Sequence, residues 1–117
     1  MKLPTVGHYK EVDNVSMDHP DLKDTTMRRL IGPEHGWDGY AMRLFTVEPG
    51  GYTPKHTHDW AHINLVLSGM GTVLTGDTET DIKKGSYAFV PGGTLHQFKN
   101  KGSEPLEFMC IVPEEEK

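Results

Sequence analysis

The sequence predicts an all-β domain of about nine short strands, closed or sandwiched so that few strand edges stay exposed. Three observations predict it. From Thr26 onward, runs rich in β-branched and aromatic residues alternate with Gly, Pro, Asn and Asp at a spacing of about 8–12 residues. The chain carries 13 Gly and 8 Pro in 117 residues, a surplus that suits many tight turns. No stretch supports a helix. The best window, about 15–31, is limited by Pro20 and Pro33, and its apolar residues are poorly spaced.

Residues 1–25 are polar and lack a period, so they read as an N-terminal arm, with a turn at 17–21. Strands are expected at 26–31, 40–48, 52–57, 60–67, 71–76, 78–82, 86–90, 95–99 and 105–112. The breaks fall at Glu48-Pro49-Gly50-Gly51, Ser68-Gly69, Gly76-Asp77, Lys84-Gly85, Pro91-Gly92-Gly93 and 100–105. Gly76-Asp77, between Thr75 and Thr78, has the length of a two-residue hairpin turn, with glycine supplying the positive φ. Residues 113–117, with Glu114, Glu115 and Glu116, read as a solvated acidic tail. At 117 residues the chain, 1–117, is expected to be a single domain.

Net charge is −5, from 12 basic and 17 acidic residues. The longest basic runs are the pairs Arg28-Arg29 and Lys83-Lys84, not the basic stripe of a nucleic-acid binder. No apolar run approaches the roughly 18 residues of a membrane helix, and the N-terminus lacks the apolar segment of a signal peptide. A single cysteine cannot form an internal disulfide, which suits the reducing cytoplasm. The expectation is a cytoplasmic protein whose partner is neither nucleic acid nor membrane.

Histidine is the second excess, with 7 residues against 1 cysteine. Three fall in His56-Thr57-His58-Asp59-Trp60-Ala61-His62, and His96 follows a Gly/Pro turn. A lone H-x-H is a weak signal, and isolated histidines such as His8, His19 and His35 are ordinarily surface or satisfied core residues. The cluster differs because strand geometry makes it coherent. Residues i and i+2 of a strand point the same way, so His56 and His58 would share a face. His62 would open the next strand after a bend at Asp59, and His96 lies on a separate strand. Neutral imidazole is a ligand for Zn, Fe, Ni and Cu. A helical reading pairs His58 with His62 at i, i+4, but the zinc-protease pattern needs Glu directly after the first histidine and Asp59 stands there. Thr53, Pro54, Thr57 and Asn64 also favour strand.

These residues resemble the cupin family. Its first motif, G-x5-H-x-H-x3/4-E-x6-G, is met by Gly50, His56, His58, His62 and Gly69, with histidine in place of the usual glutamate. Its second, G-x5-P-x-G-x2-H-x3-N, is met by Gly85, Pro91, Gly93, His96 and Asn100 at every fixed position. The departure at His62 is similar to the small four-histidine manganese cupins, as is the segment 42–51. The resemblance implies a jelly-roll β-barrel (double-stranded β-helix) holding one divalent transition metal on His56, His58, His62 and His96. It further implies no organic cofactor and a homodimer. It favours manganese or iron; affinity order alone leaves zinc, nickel or copper open.

Four imidazoles leave positions of an octahedron open, as catalytic rather than closed structural sites do. Exchanging carboxylate for imidazole removes a negative charge and leaves the ion more Lewis acidic. The motif glycines Gly50, Gly51, Gly69, Gly85 and Gly93 are expected to supply turn conformations, and Asn100 to hold the turn after it. Strand parity adds pocket walls. Phe98 should follow His96 inward. Phe108 and Cys110 should share the inner face of the last strand, and Arg43 and Phe45 share one face of an earlier strand. An inward Arg43 could orient an anionic substrate, although arginine is ordinarily exposed. Trp60 could shield the metal, and Asn64 could hydrogen-bond inside. No residue is assigned as catalytic. The leading expectation is a metal-dependent, dioxygenase-like oxidoreductase acting on a small organic substrate. The alternatives are a non-redox isomerase, lyase or decarboxylase of a sugar acid or keto acid, and a binding or sensing module without turnover.

Overall fold

The computed structural model describes residues 3–17 and 19–114. It is a nearly closed antiparallel barrel of nine strands: β1 (Val15–Ser16), β2 (Lys23–Ile31), β3 (Gly39–Tyr52), β4 (His62–Ser68), β5 (Met70–Thr75), β6 (Thr78–Lys83), β7 (Tyr87–Val90), β8 (His96–Asn100) and β9 (Leu106–Glu114). Helical structure is confined, among the described residues, to two 3-10 turns, Tyr9–Glu11 and Pro33–His35. No helix is long and apolar enough to cross a membrane among these residues. The sheet runs β6-β5-β8-β3-β9-β4-β7, with β2 added beside β3 and β1 beside β2.

Three boundaries differ from expectation. The break at Glu48-Pro49-Gly50-Gly51 does not end a strand, and in place of a strand at 52–57 Tyr52 ends β3 and 53–57 belong to no strand. Residues 48–51 bulge out of β3 opposite the single residue Asp24, since Thr25 pairs with Val47 while Lys23 pairs with Tyr52. Gly51 has no positive φ. Its role is close approach, because a Cβ there would lie 2.6 Å from the Lys23 carbonyl oxygen. The bulge turns β3 away from β9 and onto β8, where Tyr52 meets Lys99. Next, β2 begins at Lys23, so the end of the arm already belongs to the barrel, and Thr25 is buried. Last, β9 continues through Glu114, so Pro113 and Glu114 are strand residues rather than solvated tail. Asp18, inside the expected turn at 17–21, and residues 115–117 lie outside the described residues.

Elsewhere the turn chemistry acts as its residue types require. Gly76 takes φ 67° at the first position of the two-residue β5–β6 hairpin. Buried Asn100 holds the next turn. Its Nδ2 donates to the carbonyls of Val47 and Glu104, both at 2.8 Å, and its Oδ1 accepts from Gly102 N–H at 2.8 Å.

Cross-strand register stacks the interior in layers. Val47 pairs with Leu106; Phe45 pairs with Phe108, which faces Val66; Arg43 pairs with Cys110, which faces Asn64; Ala41 pairs with Val112. The first two layers, with Val73, Ile82 and Phe98, form a buried apolar plug. Phe108 stacks on Phe98 with ring centroids 4.1 Å apart and on Phe45 at 5.3 Å. The last two layers are polar or small, and there the interior opens. Outside, alternation leaves Ile63, Leu65 and Leu67 of β4 and Tyr87 and Phe89 of the sheet-end strand β7 exposed.

Candidate metal centre

The four clustered histidines meet in this open end of the barrel. His62 opens β4 and His96 opens β8, both buried. His56 and His58 lie in the irregular segment 53–61. Strand parity therefore does not bring these two together; backbone pinning does. His56 N–H donates to the His96 carbonyl at 3.2 Å and His96 N–H donates back at 3.0 Å, an isolated antiparallel bridge. Gly93 N–H, in the Pro91-Gly92-Gly93 turn, donates to the His58 carbonyl at 2.7 Å. A Cβ on Gly92 would stand 2.3 Å from the Asp59 carbonyl oxygen, so only glycine lets this turn sit against the histidine segment.

The rings converge. Centroids of His56, His58 and His96 are 4.7–5.1 Å apart, and His62 lies 4.8 Å from His96 and 5.4 Å from His58. Ligand nitrogens of His56, His58 and His96 fall within 4.8 Å of one another, a cluster compatible with one metal ion. Outer hydrogen bonds orient three rings. His58 Nδ1 donates to the Trp60 carbonyl at 3.1 Å, His96 Nδ1 to the Thr94 carbonyl at 2.9 Å, and His62 Nδ1 to Asn64 Oδ1 at 2.7 Å. A carbonyl oxygen only accepts, so each ring carries its proton on Nδ1 and leaves Nε2 as a lone pair. His62 Nε2 and His96 Nε2 then face each other at 3.4 Å. Two lone pairs at that distance repel unless a cation lies between them.

Burial, reinforced by the neighbouring imidazoles, lowers the pKa of His56 and His96. For His62 burial dominates and takes it to about 4, against the opposing hydrogen bond that its Nδ1–H donates to Asn64. These rings are neutral ligands at neutral pH.

A cavity of about 210 Å³ adjoins the cluster. The four histidines line it together with Arg43, Phe45, Trp60, Asn64, Phe98, Phe108 and Cys110. Arg43 thus points inward, against the ordinary tendency of arginine. Trp60 is exposed at the rim and stacks on His58, centroids 4.6 Å apart and planes 6° from parallel. Cys110 is buried, and burial pushes its thiol up to about 11, so it stays protonated. Met17, Thr53 and Pro54 also line the cavity, and no sequence pattern marks them. Met17 comes from the arm and Thr53 from the irregular segment, where no period exists to reveal a face. Thr53 Oγ1 accepts from Phe98 N–H at 2.9 Å and ties that segment to β8. A larger depression of about 610 Å³ beside Lys99 and Lys101 is more open and holds none of the four histidines. The remaining histidines satisfy local turns: His8, His19 and His35 accept through Nδ1 from Lys10, Asp21 and Gly32 N–H.

The family model for the cupin domain matches residues 43–112, and the chain belongs to the cupin family. It is similar to 1-methylthio-D-xylulose 5-phosphate methylsulfurylase of Rhodospirillum rubrum, 32% identical over 85 residues, which are 73% of this chain and 54% of that protein. It is also similar to auxin-binding protein 1 of Arabidopsis thaliana, 29% identical over 119 residues, covering 94% of this chain and 59% of that one. The chain thus spans between half and two thirds of the length of these relatives. Among solved structures, the polyketide cyclase RemF from Streptomyces resistomycificus superposes with a TM-score of 0.88 at 29% identity, over 95% of this chain and 80% of that chain.

Two outcomes are expected. Asn64→Leu removes the acceptor that sets the His62 tautomer and should weaken divalent-metal affinity by about 10–100-fold, read by chelator competition. Unchanged affinity would remove that role from Asn64. The second concerns pH. The folded pKa of His62 lies below its ordinary 6.5, at about 4. Its contribution to stability is therefore present above pH 6.5 and lost as pH falls toward 4. The melting temperature of chelator-treated protein should fall across that window, and His62→Gln should flatten the fall.

Proposed function

We propose that the protein is a mononuclear divalent-metal enzyme in which His56, His58, His62 and His96 hold the ion and a small organic molecule reacts in the adjoining cavity. The observation that carries this reading is the facing pair of Nε2 lone pairs on His62 and His96, 3.4 Å apart, in rings whose outer nitrogens are already committed. When bound, a divalent ion supplies Lewis acidity toward a carbonyl or enolate oxygen. The chain does the rest. Phe45, Phe98 and Phe108 present an apolar wall that excludes water and accepts a flat molecule. Trp60 covers the His58 ring at the rim.

Four neutral imidazoles leave the charge of the ion undiminished, which favours non-redox chemistry: cyclisation, isomerisation, lyase or decarboxylation steps. The likeness to a polyketide cyclase supports this class. The oxygen-using oxidoreductase is the second reading. It is favoured by the apolar lining, which suits dioxygen, and manganese or iron would be its ion. Zinc, iron and manganese forms incubated with small carbonyl compounds in air and under nitrogen separate the two. Turnover by the zinc form under nitrogen is the expected result, whereas turnover only with iron or manganese in air would favour the oxidoreductase. Tight binding without turnover would make the protein a binding module. Failure to retain about one ion per chain after reconstitution would overturn the metal reading.

A second copy of the chain is the partner we propose for the exposed apolar face of β4 and β7. Ile63 pairs with Phe89 and Leu65 with Tyr87, so the apolar rows run to the sheet edge, a surface that soluble proteins ordinarily cover. Two-fold apposition covers both copies with like surface. Sedimentation should give a dimer that Tyr87→Lys with Phe89→Lys converts to monomer; a monomeric wild-type chain at micromolar concentration would refute it.

A further inference from the structure

Of the four clustered histidines, His58 is the one that the strands do least to hold. His62 and His96 open strands and are buried, and His56 is tied to β8 by two backbone hydrogen bonds. His58 sits half-buried in irregular chain, between exposed Thr57 and exposed Asp59. Gly93 N–H pins its carbonyl at 2.7 Å, but a pinned carbonyl leaves the ring free to turn about its side-chain bonds. Trp60 removes that freedom at two points. Its carbonyl accepts from His58 Nδ1 at 3.1 Å, and its indole lies flat on the imidazole, centroids 4.6 Å apart and planes 6° from parallel. The stack fixes the plane of the ring, and the hydrogen bond fixes its rotation within that plane.

Trp60 is 47% exposed, belongs to neither apolar core cluster and, among the described residues, has no aromatic contact but this one. A large ring at the rim therefore covers one imidazole instead of entering the core. Its backbone is fixed as well. Gly92 packs so closely that a Cβ there would stand 2.3 Å from the Asp59 carbonyl oxygen and 3.3 Å from the Trp60 nitrogen. Stacking two neutral rings at an exposed rim contributes little. The balance changes when His58 Nε2 ligates a cation, because the imidazole then gives up electron density and carries positive charge. Indole offers the strongest π face among the side chains to positive charge held within about 6 Å of its centroid. The contact is consequently stronger in the metal-bound state, and an interaction that favours one state shifts the equilibrium toward it.

We propose that Trp60 is a positioning residue of the metal centre: it holds the His58 ring in its ligating orientation and, through its π face, raises the affinity of the site for a divalent cation. The inference rests on the proposed metal reading and adds to it a residue outside the ligand set.

Zinc is the probe, with affinity read by chelator competition in a Trp37→Phe background, where Trp60 is the one tryptophan left. Trp60→Phe keeps a weaker π face and should lose about 2–5-fold in affinity, and Trp60→Leu about 10-fold. Tryptophan carrying one, two and three ring fluorines keeps the shape of indole while withdrawing electron density from its face. Zinc affinity should fall at each step of that series, a dependence that packing alone does not produce. The series also decides the matter if Trp60→Leu does not fold. A flat series overturns the proposal, as does Trp60→Leu with wild-type affinity; in either case zinc retained by the wild-type chain leaves the metal reading standing. A wild-type chain that binds no zinc overturns both.

Discussion

The centre of this molecule depends on one backbone bridge, the reciprocal hydrogen bonds between His56 and His96. Irregular chain between strands is ordinarily the most mobile part of a barrel. Here the segment 53–61 is fastened along its length, by Thr53 to β8, by His56 to His96 and by Gly93 to the His58 carbonyl. The fastening brings two rings from unordered chain against two rings from strands. The two sequence motifs are thus two sides of one contact: the glycine turn of the second holds the histidine segment of the first.

A gradient along the barrel axis gives that contact its chemistry. At one end paired valine, leucine and phenylalanine layers fill the interior. At the other, small or polar partners leave room, and the rings of His56, His62 and His96 sit where burial disfavours their protonation. The same desolvation that keeps these imidazoles neutral strengthens any charged interaction made among them. The outer hydrogen bonds to Trp60, Thr94 and Asn64 use carbonyl acceptors and carry no charge into the site. The Lewis acidity of a bound ion would consequently be tuned by neutral groups alone.

The rim links the end of β9 to Arg43 of the cavity lining. Glu114 closes β9 and lies between two guanidiniums. Those guanidiniums, more than the burial that opposes them, hold its carboxyl below the usual range. Paired in this way it braces β2, β3 and β9 together. A residue that composition assigns to a solvated tail becomes part of a strand because antiparallel pairing with Gly39 carries β9 one pleat further than hydropathy marks.

The sequence by itself determined the all-β class, most strand positions, the hairpin at Gly76-Asp77 and the clustering of histidines in two spaced motifs. Each depends on short-range rules: turn residues with particular φ, the two-residue alternation of a strand, and fixed motif spacing. Phe98, Phe108 and Cys110 were legible for that reason, since alternation from an inward histidine or an outward Glu107 needs no partner strand. Only the tertiary structure decided what depends on a neighbour. The bulge at 48–51 replaces a turn because β2 pairs across it, and 53–61 is ordered without being a strand because β8 and a glycine turn hold it. Met17 reaches the cavity from an aperiodic arm. Glu114 is drawn into ion pairs because two arginines distant in sequence, Arg29 and Arg43, lie beside it. Pairing partners, close approaches and charge neutralisation are set between segments, and no local pattern encodes them.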